Sequence, residues 1–201
     1  MRSAGVRPRR ADAARNAEKV LAAAREVFAE RGPDAGVDEI ATRAGVGKAT
    51  IYRCWATKEE LVTAVVGQRV DWFTEQTLAA IESDDTWRAY IYLLEQAAAS
   101  ACSNQLLHAG LTSAPRSPEL EVKRAASTRA LQGLLDKLAA EGIGRPDLTA
   151  REVIVLLSGA FRTLSEEGVT DIAQWQRYAE LVVVMTRSTR SSSAGPSSPR
   201  S

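Results

Sequence analysis

The sequence predicts an all-α chain of about nine helices, a small N-terminal head followed by a larger helical body. Three observations lead there. Apolar residues recur three and four apart along most of the chain, as in Val20, Leu21, Ala24, Val27 and Phe28, or Leu131, Leu134, Leu135 and Leu138. That is the spacing of one helical face. Helix-start signals punctuate the pattern: Thr57 with Glu60, Ser117-Pro118-Glu119, and Thr149 with Glu152. These place a capping hydroxyl before an acid three residues on, or before a proline whose missing N–H is no loss in a first turn. Finally, the stretch from Gly36 to Trp55, GVDEIATRAGVGKATIYRCW, reads as two short helices around a tight turn.

In that stretch Ile40, Ala41 and Ala44 share one face. Gly45 follows where a helix end needs a positive φ, which glycine adopts without a Cβ penalty. The second helix starts near Gly47 or Lys48 and carries Ile51 and Trp55 on its inner side, with Lys48, Thr50, Tyr52 and Arg53 opposite. So short a helix is marginal alone. It needs support from behind, and its polar face needs a purpose outside. Helix-turn-helix DNA binding meets both needs. Lys48 and Arg53 can neutralise phosphate or reach guanine edges, Thr50 and Tyr52 can donate to phosphate oxygens, and the small Ala49 can meet a thymine methyl. Arg43, Tyr52 and Lys58 are the candidate phosphate holders. A helical hairpin with a merely solvated basic face has the same spacing.

Before this stretch, residues 1–11 read as a flexible basic arm carrying Arg7, Arg9 and Arg10, able to follow phosphates or to do little. A helix over 12–31 braces the head and ends at Gly32-Pro33. The head is thus expected over 12–56. The body, 57–187, opens with a helix from Thr57 to about Ile81, the mechanical link between the two. Helices over 87–103 and 104–111 follow, then a loop over 112–116. A helix from Pro118 to about Glu141 comes next, stopped by Gly142. Another starts at Thr149, with Ser158-Gly159-Ala160 leaving room for a close neighbour, and the last spans 171–187. Residues 188–201 are low in complexity and expected to be disordered.

Composition excludes as much as it supports. No apolar run approaches a membrane span, and the basic N-terminus lacks the apolar stretch of a secretory signal. Cys54 and Cys102 stand far apart, with no metal-ligand spacing and a single histidine, His108; this suits a reducing cytoplasm. No catalytic constellation, glycine-rich phosphate loop or metal set stands out, so neither an enzyme nor a cofactor is expected. The net charge of +1 conceals an asymmetry: residues 1–70 carry +4, residues 71–186 carry −6 and the tail +3. A basic head on an acidic body turns the head toward a polyanion.

The segment IATRAGVGKATIYRCWATKEEL closely resembles the N-terminal signature of tetracycline-repressor-like (TetR) transcriptional regulators. The matching positions are Ile40-Ala41, Ala44-Gly45-Val46, Thr50-Ile51-Tyr52, Trp55 and Lys58-Glu59-Glu60-Leu61. Gly36 stands where the family usually has a Ser or Thr cap. The later GRPDL and VIVLLSGAFR are similar, more weakly, to the ligand-binding part of one subgroup. The resemblance implies a ligand-responsive repressor that binds a palindromic operator as a homodimer. It also implies that Lys58 meets the DNA backbone and that the last two helices pair with their twofold mates.

On that frame Trp72, Phe73, Trp87, Tyr90 and His108 are the candidate pocket residues for an apolar or aromatic effector, with an acidic body hinting at a cationic one. Leu157, Phe161, Tyr178, Leu181, Val182 and Met185 are the candidate dimer interface. The other reading is an all-helical small-molecule binder or adaptor whose basic head binds protein rather than DNA.

Overall fold

The computed structural model describes residues 7–32, 35–103 and 117–188. Eight helices make up most of these: α1 (Arg7–Arg31), α2 (Val37–Ala44), α3 (Lys48–Cys54), α4 (Lys58–Ile81), α5 (Thr86–Ser103), α6 (Pro118–Ala140), α7 (Ala150–Glu166) and α8 (Ile172–Thr186). The helix expected over 104–111, with His108, the loop after it and the tail beyond Ser188 lie outside the described residues.

Local chemistry accounts for the helix ends. Ser117 accepts from the Leu120 N–H, and Pro118 takes the first helical position. Thr149 and Glu152 form a reciprocal capping box, the Glu152 carboxylate accepting from the Thr149 N–H at 2.8 Å. The box expected at α4 is displaced by one residue. Thr57 accepts from the Glu60 N–H, but the Glu60 carboxylate reaches back to the Ala56 N–H at 2.8 Å. At the other end of α4, the Lys137 ammonium donates to the carbonyls of Ile81 and Ser83, a cation at the negative end of the helix dipole.

Two terminal expectations are corrected. α1 begins at Arg7, not Asp12, so the second half of the expected arm is helical; Pro8 suits the first turn, where no N–H is needed. At the other end, Ser188 donates its N–H to the Ile143 carbonyl at 2.7 Å, and Arg187 bridges Gly144. The chain is therefore tied down one residue into the expected tail. The connection 142–148 is tight at Gly144, where a Cβ would stand 3.0 Å from the Leu138 Cβ and 3.2 Å from the Ala139 nitrogen.

The helices bury two apolar clusters. The first gathers Val20, Ala24, Val27 and Phe28 of α1, Ile40 and Ala41 of α2, Ile51 of α3, and Leu61, Val65 and Val66 of α4. It also contains Leu120, from the start of α6. The boundary expected at 56/57 thus cuts through the head's own core, and a body helix is anchored in it. The Lys123–Asp71 ion pair fastens α6 to α4 a little further along. The second cluster lies among α5, α6, α7 and α8 around Leu131, Leu134, Leu138, Leu94, Val153 and Trp175. α4 therefore runs from one core to the other.

Tyr90 and Trp87, expected in a pocket, belong to this second core. Tyr90 is fully buried, and its hydroxyl lies 2.8 Å from that of Thr186. Burial pushes its pKa up to about 12. The ring of Trp87 packs beside Tyr90 and under the Arg187 guanidinium. These aromatics pin α5 to the C-terminal end of α8. The single Thr186 hydroxyl proton goes to the Val182 carbonyl at 2.8 Å, so Tyr90 is the donor in the pair. Thr186→Val strips a buried donor of its acceptor and is expected to cost about 1–3 kcal/mol, more than Tyr90→Phe, which removes the donor itself. Urea unfolding of both variants checks the order.

Candidate nucleic-acid interface and internal cavity

α2 and α3 are arranged for presentation. Gly36 caps α2 through extended backbone only, with no side-chain bond. Gly45 sits at φ 65°, and the N–H groups of Gly45 and Val46 close on the carbonyls of Thr42 and Ala41 at 3.3 and 3.1 Å. This stop turns the chain so that α3 crosses α2. Ile51 is buried and Trp55 packs against the head core, which fixes the rotation of α3 about its axis. Lys48, Ala49, Tyr52, Arg53 and Cys54 are left exposed and Thr50 half-buried. The structure thus brings most of the predicted base-reading set onto one outward surface. Lys58, half-buried in the first turn of α4, follows α3 directly.

Two of the predicted cations are already paired. Lys48 lies 2.9 Å from the Asp38 carboxylate on α2, which holds its pKa above the ordinary lysine value. Arg43 spreads its guanidinium over α1, donating to both carboxylate oxygens of Glu30 at 2.9 and 2.7 Å and to Glu26 at 3.2 Å. The hydrogen bond from Arg43 holds the Glu30 carboxyl below its usual range. Arg43 is therefore a brace between α2 and α1 in this structure, not a free phosphate ligand. Glu26 and Glu30 give no local signal of this role, because the fold joins residues 13 and 17 positions apart.

Behind the head is a cavity of about 780 Å³. Ala22, Glu26, Ala29 and Glu30 of α1 form one wall, and Val65, Gln68, Arg69, Trp72 and Phe73 of α4 another. Ala97 and Ala101 of α5 and Ile154, Leu157 and Phe161 of α7 close it. Of the expected pocket residues, Trp72 and Phe73 line this cavity; Trp87 and Tyr90 do not reach it. The size suits a small organic molecule. Sequence reasoning missed Gln68 and Arg69; with Asp71 two residues on, Arg69 looks like one more surface charge.

The expected dimer residues divide in two. Leu157, Phe161 and Val182 are buried within their own chain, Phe161 packing its ring 5.5 Å from that of Trp175. They are corrected as core and cavity residues. Tyr178 and Leu181 are exposed at 42% and 45%, and Met185 is half-buried. On these two helices the large apolar residues left outside are Val155 and Leu156 of α7 and Ile172, Tyr178, Leu181 and Val184 of α8, the last 68% exposed. Gly159 sits among them with open space where a Cβ would be.

A braced helix-turn-helix that offers a basic polar helix, with a cavity between the head and a helical body, defines a helix-turn-helix DNA-binding regulator of transcription. Comparison with known proteins agrees. Residues 20–65 match the family described as bacterial regulatory proteins, tetR family. The chain is 50% identical over 54 residues to the HTH-type transcriptional activator FasR of Mycolicibacterium smegmatis, a match spanning 26% of this chain and 25% of that protein. Among solved structures, a TetR transcription regulatory protein from Mycobacterium vanbaalenii is 29% identical, with a TM-score of 0.63 over 90% of this chain and 100% of that one. The TetR regulator SCO0520 from Streptomyces coelicolor is 27% identical, with a TM-score of 0.65 over 86% and 99%. Residues 20–65 thus form a tetR-type DNA-binding head, and over most of its length the chain is similar to TetR-type regulators of transcription. No helix among the described residues is long and apolar enough to cross a membrane.

Proposed function

We propose that this protein is a cytoplasmic, ligand-responsive regulator, a repressor by family resemblance, that binds a palindromic operator as a homodimer. The observation that carries the reading is that one cavity is walled by both head and body. An occupant touching Glu26 and Glu30 on α1 meets the two carboxylates that hold Arg43, and through it α2. An effector that fits one orientation of α1 against α4 better than another shifts the head between DNA-binding and released arrangements. The head comprises α1 to α3 with the first turns of α4; the rest forms the effector-binding and dimerisation body.

The exposed apolar faces of α7 and α8, with the open surface at Gly159, support pairing of these helices across a twofold axis. The two α3 helices then enter successive major grooves about 34–36 Å apart. Lys48, Ala49, Thr50, Tyr52 and Arg53 face the bases, and Tyr52 and Lys58 take phosphates. Arg43 joins them only after leaving Glu30. Selection of bound sites from random duplex DNA tests the whole reading, since a palindrome and its spacing report base recognition and dimer geometry together. A reporter driven by the selected site reads the sign of regulation. If nothing is retained over bulk DNA, the adaptor reading replaces this one.

Two substitutions separate positioning from reading. Lys58→Ala is expected to weaken all duplexes alike and reduce the salt slope by about one unit. Arg53→Ala is expected to relax preference at one operator position, by about 1–3 kcal/mol where it reads a guanine. Titrations of matched and mismatched duplexes at several salt concentrations check both.

A further inference from the structure

We infer that the cavity between head and body takes an amphipathic carboxylate, with Arg69 as its counter-ion. The inference rests on the effector-responsive reading above and names the class of effector.

Arg69 lines the cavity, and its guanidinium carbon lies 4.0 Å over the ring centroid of Trp72. It is half-buried and makes no ion pair with any carboxylate of the described chain. Burial alone lowers its pKa to about 10, with no acid nearby to offset it. A guanidinium removed from water without an anion is a cost that folded chains ordinarily offset with a partner. Next to it on α4, the Gln68 side-chain oxygen is buried and accepts no hydrogen bond; buried acceptors are usually paired. The polar demand of the cavity is therefore concentrated at one place on α4.

The remaining charges do not supply the missing anion. Glu26 and Glu30 are on the opposite wall, but both are held by Arg43. With Arg25 also on the rim, three guanidinium groups stand against two carboxylates. The acidic body therefore does not make this a site for a cation. One planar fork matches one carboxylate through two parallel hydrogen bonds; Arg25 is exposed and keeps its water, so a phosphate dianion would meet only one desolvated guanidinium. Phe73, Ile154, Leu157 and Phe161 give the rest a mainly apolar lining, with four serines among them, so the body of the ligand is mainly apolar.

The test is calorimetric titration of the full-length protein with four chains of equal length: decanoate, decanol, decyl phosphate and decyltrimethylammonium. Decanoate is expected to bind tightest, by about tenfold over decanol, the size of one charge-assisted pair. Arg69→Met is expected to erase that preference while decanol binds as before, and Arg69→Lys to restore part of it. The inference is overturned if another head group ranks first on the unaltered protein, if decanol equals decanoate, or if Arg69→Met keeps the preference. Duplex binding measured with and without decanoate keeps the two readings apart. A protein that grips its operator but takes no decanoate loses the ligand class and keeps the regulator. One that takes decanoate through Arg69 without any change in operator affinity keeps the ligand class and loses the effector mechanism.

Discussion

Leu181→Arg is expected to convert a dimer into a monomer and cut operator affinity by about 10²–10⁴-fold, the factor by which joining two binding modules exceeds one alone. Leu181 is 45% exposed in the protomer, so an arginine there has solvent to occupy and the fold should survive. In a twofold pairing of α7 and α8 the same residue meets its own mate or a near neighbour, and the substitution brings two like charges together in an apolar seam. Sedimentation velocity reads the mass, and circular dichroism confirms that helicity is kept. Gly159→Leu provides an independent variant: nothing lies within 4 Å of a Cβ there in the protomer, so its side chain obstructs only a partner. Persistence of the dimer in both variants would place the interface on another face and remove the basis for the operator geometry proposed above.

The second large effect is on stability. Trp175→Ala is expected to destabilise the protein by about 3–5 kcal/mol, the range for truncating a buried aromatic. Trp175 is fully buried, stacks obliquely on Phe161, and donates its indole N–H to the Val169 carbonyl at 3.0 Å. Truncation leaves a void beside Phe161 and removes the hydrogen bond that ties α8 to the α7–α8 turn, costs that add. Chemical unfolding measures the loss. Trp175→Phe should recover much of the packing but not the hydrogen bond, so its cost should fall between those of the unaltered protein and the alanine variant.

The sequence and the structure part company in instructive places. The head was legible because its determinants are local. Gly45 marks a turn by its own backbone freedom, and Ile51 and Trp55 orient α3 from within a single turn of helix. Helix ends were legible wherever a side-chain cap stood beside them. Of the expected dimer residues Tyr178 and Leu181 stay outside, whereas Leu157 and Val182 turn inward and Leu156 takes the outer place on α7. α7 and α8 are apolar on two sides, and spacing shows that two faces exist without showing which one the chain keeps for itself. Trp87 and Tyr90 were misassigned for a related reason: an aromatic on a helix fits a core or a cavity equally well until its neighbours are known. The cavity was the least legible feature. Its walls come from helices far apart in sequence, and Arg69 is notable only because the fold brings no acid to it.

The pairing of Lys48 with Asp38 has a consequence for how the protein moves over a genome. In the DNA complex proposed above, Asp38 acts as a resident decoy for the DNA backbone: before the ammonium grips a nucleotide it must let go of an anion it already holds. Fewer small ions are set free when it docks, so loose attachment to arbitrary DNA is shallower than the number of basic groups implies. A shallow hold means brief stops, and brief stops make for a quicker search.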